Sequence, residues 1–219
     1  MKVFLKNNSI ILLAFLITIG ISTGFLLSYE KTDIHYYLNQ FVGNKYLNFF
    51  FTHITYIGDG TVAVFILIII MLANIRLGIY ATSSFLTATF VSIGLKHLFF
   101  DDVNRPSFIF QHYDGRSLTL INGVDLHIHN SFPSGHATQA FSILMCLAFT
   151  TQNKFYKLTL FGLAFLTAIS RVYLSQHWLI DITVGSIIGM LFSCVYYFVF
   201  ITNTKLVKLN HPLFSIKTS

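Results

Sequence analysis

The stretch GHATQAFSILMCLAFTTQNKFYKLTLFGLAFLTAISRVYLSQHWLIDITVGSIIGMLFSCVYYFVFIT, residues 135 to 202, decides the fold. It holds three apolar runs, at about 135 to 151, 157 to 174 and 180 to 202, with only short connections between them. Toward the amino terminus the pattern recurs at about 9 to 28, 61 to 75 and 78 to 98. At about 20 residues per crossing, six such spans leave room for short connections and no second soluble domain. The chain is 54% hydrophobic and only 10% charged, against roughly 25% charged in a soluble domain. A mean hydropathy of +0.68 excludes a disordered chain, and two cysteines exclude a disulfide scaffold. The fold expected is all-α: one domain over 1 to 219, a six-transmembrane helix bundle with short extracytoplasmic helical or loop insertions.

The formal charge of +6 reads as topology rather than as nucleic-acid binding. Lys2, Lys6, Arg76, Lys154, Lys157, Lys205, Lys208 and Lys217 fall in the two tails and in the second and fourth connections, which six spans place on one side. By the positive-inside rule that side is cytoplasmic, so both termini are expected there. Glu30, Asp33, Asp59, Asp101, Asp102, Asp114, Asp125 and Asp181 lie in or beside connections on the other side. The run from Ile10 to Leu27 is long for a signal peptide and lacks an Ala-x-Ala site after it, so a retained first span is expected.

Cys146 and Cys194 sit within apolar runs and read as packing residues. Gly185, Gly189 and Ser193, at four-residue spacing, let another helix approach one face of the last span. Two outer stretches, 29 to 60 and 99 to 133, can hold structure of their own. The aromatics Tyr36, Tyr37, Phe41, Tyr46, Phe49 and Phe50 suit either a helix at the membrane surface or a cap packed on the bundle.

The chemistry gathers where the outer connections meet the spans, where a charge is costly without a function or a partner. His177 and Asp181 are four apart and share a helical face. An aspartate on one imidazole nitrogen leaves the other free as nucleophile or base. Taken alone, the pair is more simply a capping histidine beside a first-turn acid. Pro133-Ser134-Gly135-His136 opens the fourth span. The free amides of a helix start, a hydroxyl and a residue without a side chain make an anion site, and His136 can protonate a leaving oxygen. Lys96, Arg105 and Arg171 add three cations, whose mutual repulsion a bound polyanion would relieve.

The order Arg105-Pro106, Pro133-Ser134-Gly135-His136, then Ser170-Arg171-x5-His177-x3-Asp181 resembles the three-part signature of the type 2 phosphatidic acid phosphatase family, whose superfamily includes acid phosphatases and vanadium haloperoxidases. The likeness runs from about Thr55 to the end of the sixth span. It implies a metal-independent phosphatase of the bacterial cytoplasmic membrane, needing no cofactor and acting on a phosphorylated lipid from the extracytoplasmic side. His177 would attack phosphorus, Asp181 orient it, and His136 protonate the leaving oxygen and then activate water. Lys96, Arg105, Arg171, Ser134 and the Gly135 amide would hold the phosphoryl oxygens. Substrates the family implies are polyprenyl diphosphates, phosphatidylglycerol phosphate, phosphatidic acid and lipid A phosphates. One departure stands out: eight residues separate Lys96 from Arg105, where the family usually has six, and Leu98 occupies the expected lysine position.

Two further functions fit the same residues: phosphoryl transfer from a lipid to another alcohol, or a transporter or structural protein that keeps the anion site for binding alone. An oriented nucleophile argues against the second. His127 and His129 form at best a weak metal pair with no third ligand at metal spacing. His35, His53, His97, His112 and His211 show no pattern, Gly58-Asp59-Gly60 reads as a turn, and oligomeric state is not legible.

Overall fold

A computed structural model describes residues 1–213; Lys217 lies outside the described residues. Nine α-helices run α1 (Lys2–Ser28), α2 (Lys31–Asn39), α3 (Lys45–Ile54), α4 (Gly60–Ala73), α5 (Ile75–Phe99), α6 (Pro106–Ile109), α7 (Gly135–Thr150), α8 (Lys154–Tyr173) and α9 (Leu179–Tyr196) among the described residues, with no strand. The helix starts are written locally. Asn44, Asp59, Asn74 and Asn153 each sit one residue before a helix and accept hydrogen bonds from its first free amides.

Each of the six apolar runs is helical. Four helices, α1, α5, α8 and α9 with its extension to Ile201, are long and apolar enough to cross a membrane. A fifth crossing would be the pair Lys45–Gly58 and Gly60–Ala73, bent by 60°. The fourteen residues of α4 and sixteen of α7 rise about 21 and 24 Å at 1.5 Å each, short of a hydrocarbon core of about 30 Å. The chain is an all-helical integral membrane protein.

The centre of the bundle is α7, which packs on α5, α8 and α9 and buries eleven of its residues, from Ala137 to Phe149. Lipid tails are as apolar as leucine, so close backbone contact and van der Waals packing hold such helices together. The glycines of α9 permit that contact with α7. A Cβ at Gly185 would stand 2.6 Å from the Ser134 carbonyl oxygen, and one at Gly189 2.5 Å from that of Thr138. By contrast α1 is peripheral and buries only Phe4, Asn8 and Ile11.

The two outer stretches form separate devices. Helix α2 is a cap, burying Ile34, His35 and Asn39 against α8 and α9. Helix α3 exposes Tyr46, Phe49 and Phe50. Arg116 ties α2 to the 99 to 133 insertion, reaching Asp33 at 2.8 Å and Asp114 at 2.5 Å and lying over the Tyr36 ring at 4.8 Å. Its guanidinium holds the Asp114 carboxyl below the usual carboxylate range.

Two of the cations assigned to the cytoplasmic side are buried at that end of the bundle. Arg76 is 9% exposed and donates to the carbonyls of Phe200, Ile201 and Asn203, closing the carboxy-terminal end of the α9 rod. Lys157 is 1% exposed and donates to Asn8 Oδ1 and to the Ala148 carbonyl, fastening α1 and the end of α7. Both donate to carbonyls at or just beyond helix ends. Lys2, Lys6, Lys154, Lys205 and Lys208 are exposed and carry the charge asymmetry without them.

Candidate active site

At the opposite end of the bundle the chain between α8 and α9 is bent sharply. Ser175 takes a left-handed conformation at φ 54°, which costs a residue other than glycine about 1 to 3 kcal/mol. Its hydroxyl lies 3.1 Å from His35 Nε2, and the Asn39 amide donates to it at 3.5 Å. Thus the α2 cap holds the bend. Burial lowers the His35 imidazole to about 4, with Asp181 opposing, so this ring stays neutral at physiological pH.

The bend turns His177 toward the start of α9. The Gln176 and His177 amides both donate to the Arg171 carbonyl, at 2.9 and 3.1 Å. His177 Nδ1 lies 3.3 Å from Asp181 Oδ2, and since a carboxylate only accepts, Nδ1 is the donor. Asp181 reaches back to the Trp178 amide at 2.9 Å, the capping geometry of a third-position acid. A third donor, Ser131 Oγ, meets the same oxygen at 2.5 Å. His177 is 2% exposed and Asp181 fully buried. Burial first, then the charges of Arg105, Arg171 and Lys96, hold the His177 imidazole well below its ordinary range, so it is neutral and its second nitrogen carries a free lone pair.

Groups suited to phosphate lie near this pair, the cations Arg105, Arg171 and Lys96 among them. Ser134 precedes α7 and its amide donates to the Asp181 carbonyl at 3.1 Å, joining the starts of α7 and α9. Its hydroxyl is buried and has no partner, and a Cβ added at Gly135 would meet open space. His136 and Arg171 line one cavity of about 540 Å³ with Thr55, Asp59, His127 and Gln176. Arg171 donates through Nη1 to Thr55 Oγ1 at 2.9 Å, while its Nε is buried without a partner. Gly58 lets the turn before α4 lie against His136, because a Cβ there would stand 2.6 Å from the His136 carbonyl oxygen.

Arg105 differs from Arg171. Its Nε donates to the His129 carbonyl at 2.9 Å, Nη1 to the Gln176 carbonyl at 2.9 Å and to Gln176 Oε1 at 3.1 Å, and Nη2 to the Asn130 carbonyl at 3.3 Å. Four of its five N–H groups are thereby spent on the loop, leaving one for a ligand. Arg171, by contrast, keeps its Nε without a protein partner. Lys96 lies in the last turn of α5. Its charge is felt at His177, and it has no hydrogen bond or ion pair with protein among the described residues. Residues 100 to 104 link the end of α5 to Arg105, and neither Asp101 nor Asp102 pairs with Lys96 among the described residues.

Four residues of this site escaped the sequence reading: Ser131, Thr55, Gln176 and His35. Gln176 bridges Arg105 to the Asp125 carbonyl, to which its Nε2 donates at 2.7 Å. None stands at a spacing that announces it. His129 meets Asn104 at 2.7 Å, and no group of three potential metal ligands occurs among the described residues.

The family described as the PAP2 superfamily matches residues 76–205. A protein of Porphyromonas gingivalis named Lipid A 1-phosphatase is 34% identical over 64 residues, 28% of this chain and 14% of the relative, so the match spans about one seventh of that relative's length. The crystal structure of Aquifex aeolicus LpxE matches with a TM-score of 0.65 at 26% identity, covering 75% of this chain and 92% of that one. A transmembrane PAP2 type phosphatidylglycerolphosphate phosphatase from Bacillus subtilis shares the fold at 22% identity, with a TM-score of 0.64, covering 92% of this chain and 98% of the other.

Proposed function

The chain belongs to the PAP2 superfamily, and we propose that it is a lipid phosphatase that works through a phosphohistidine on His177. The observation that carries this reading is a buried, neutral His177 oriented by Asp181 beside phosphate-type donors that have no protein partner, Ser134 Oγ and Arg171 Nε. Pure binding or transport has no use for an oriented nucleophile.

In this mechanism the phosphoryl oxygens lie against the Arg171 fork, the Ser134 hydroxyl, the Gly135 amide, the remaining Arg105 N–H and Lys96. The free nitrogen of His177 attacks phosphorus, the ester or anhydride P–O bond breaks in line, and His136 gives its proton to the departing oxygen. Asp181 stabilises the charge that develops on His177 during attack. Water then attacks the phosphohistidine, His136 takes its proton, and phosphate leaves. The charged donors stabilise the crowded transition state, each at about 10²- to 10³-fold in rate.

The substrate is a lipid phosphate monoester or diphosphate. The whole of 1 to 219 acts as one domain with six crossings, α4 and α7 being the short ones, in the bacterial cytoplasmic membrane. The exposed Lys2, Lys6, Lys154, Lys205 and Lys208 support cytoplasmic termini, which puts the site on the extracytoplasmic side. A cysteine at Ser117 should then react with an impermeant thiol reagent in spheroplasts and one at Thr204 should not; the reverse pattern overturns the orientation.

The functional test is phosphate release by purified protein from phosphatidic acid, phosphatidylglycerol phosphate, a polyprenyl diphosphate and a lipid A phosphate, with chelator present. Release from at least one, inhibited by vanadate, supports the reading. Release from none, or equal release by His177→Ala, contradicts it.

A further inference from the structure

The Asp181 carboxylate is held unevenly. Oδ2 receives Ser131 Oγ at 2.5 Å, the Trp178 amide at 2.9 Å and His177 Nδ1 at 3.3 Å, whereas Oδ1 is buried and has no partner. The shortest of the three contacts comes from neither the nucleophile nor the helix start. It comes from Ser131, fifty residues away in the chain.

Ser131 is itself fixed from several directions. It is fully buried, and its amide donates to the Val103 carbonyl at 3.0 Å, while the Arg105 amide donates to the Ile128 carbonyl at 2.8 Å. The 128 to 131 segment therefore runs paired along the 103 to 105 segment that carries Arg105. The preceding residue, Asn130, is in the left-handed region at φ 58°, and its carbonyl accepts from Arg105 Nη2. Three residues later the Ser134 amide bonds the Asp181 carbonyl. One short segment thus grips Asp181 by backbone and side chain and also carries Ser134 of the anion seat.

We infer that Ser131 is a positioning residue: by fixing the Asp181 carboxylate rotamer it sets the direction in which the His177 imidazole faces the phosphoryl group. This rests on the phosphohistidine reading above. A carboxylate turns freely about its last bond unless donors lock it, and with Ser131 gone only the Trp178 amide and the long His177 contact would remain on Oδ2. Nothing in the Ser131 contacts reaches the anion seat through its hydroxyl, so substrate binding and chemistry should separate when that hydroxyl is removed.

The experiment uses the full chain in detergent and the fastest of the four lipids above. Ser131→Ala should lower kcat by about tenfold or more, while KM and the inhibition constant of inorganic phosphate stay within about twofold and Ser131→Thr recovers most of the rate. Should Ser131→Ala fail to fold, Ser131→Cys carries the same expectation, because a thiol keeps the shape and is a weak donor. An unchanged kcat overturns the inference. So does a joint fall of kcat, phosphate affinity and melting temperature without rescue by threonine, which would make Ser131 a packing residue only. If wild type releases no phosphate from any lipid, the reading beneath has failed and this one falls with it.

Discussion

The two ends of the bundle both bury cations, and they treat them oppositely. At the end where α5 and α8 begin, Arg76 spends its guanidinium on three carbonyls and Lys157 donates to an amide oxygen and a carbonyl. At the end where α5 and α8 finish, Arg171 leaves Nε unpartnered, Ser134 leaves its hydroxyl unpartnered, and Lys96 has no hydrogen bond among the described residues. A buried polar group without a partner costs about 1 to 3 kcal/mol, more when it is charged. A fold that saturates its cations at one end and leaves donors open at the other accepts that cost where a ligand can supply the acceptors. Arg105 stands between the two cases, mostly spent on the loop with one N–H over.

This contrast can be broken by substitution at either end. The largest effect belongs to the nucleophile: His177→Ala should lower kcat/KM by more than about 10⁴-fold with its melting temperature in detergent close to that of wild type. Arg171→Ala should follow, losing about 10²- to 10³-fold, and Arg171→Lys should recover only part because an ammonium cannot make the forked contact. Arg105→Ala should lower activity and melting temperature together, since the guanidinium holds the 129 to 130 carbonyls and Gln176; a pure kinetic loss there would make Arg105 a phosphate ligand first and a loop anchor second. Lys96→Ala should cost at least about tenfold in kcat/KM, and unchanged kinetics would strike Lys96 from the site. At the far end the effect is smallest. Arg76→Met and Lys157→Met should shift the melting temperature while kcat/KM of the folded fraction stays within about twofold.

The site was legible where its residues lie within a turn of one another. His177 and Asp181 at four apart, and Ser134 and Gly135 at a helix start, announce their geometry by spacing alone. The supports were not legible, because each reaches across the chain: Ser131 to Asp181 over 50 residues, Gln176 to Arg105 over 71, Thr55 to Arg171 over 116 and His35 to Ser175 over 140. The bend at Ser175 was hidden for another reason. A left-handed residue is usually written as glycine, and here a serine is held there by side chains from α2. The helical runs were readable from hydropathy, and among the described residues four helices and one bent pair are long and apolar enough to cross a membrane. Helix α4 runs only from its cap at Asp59 to Ala73, and α7 ends at Thr150, so their lengths follow these ends and not apolarity. Likewise the burial of Arg76 and Lys157 was not legible, because a lone cation between apolar runs looks the same whether it faces headgroups or closes a helix end.

The central claim is that His177 takes the phosphoryl group. Wild-type protein mixed briefly with a substrate lipid labelled in its phosphate, quenched in alkali and digested, tests this directly. The account predicts label on the peptide carrying His177, stable in base, lost in acid and absent from His177→Ala. Phosphate release without any labelled protein, or label that is acid-stable or carried by another residue, would contradict it.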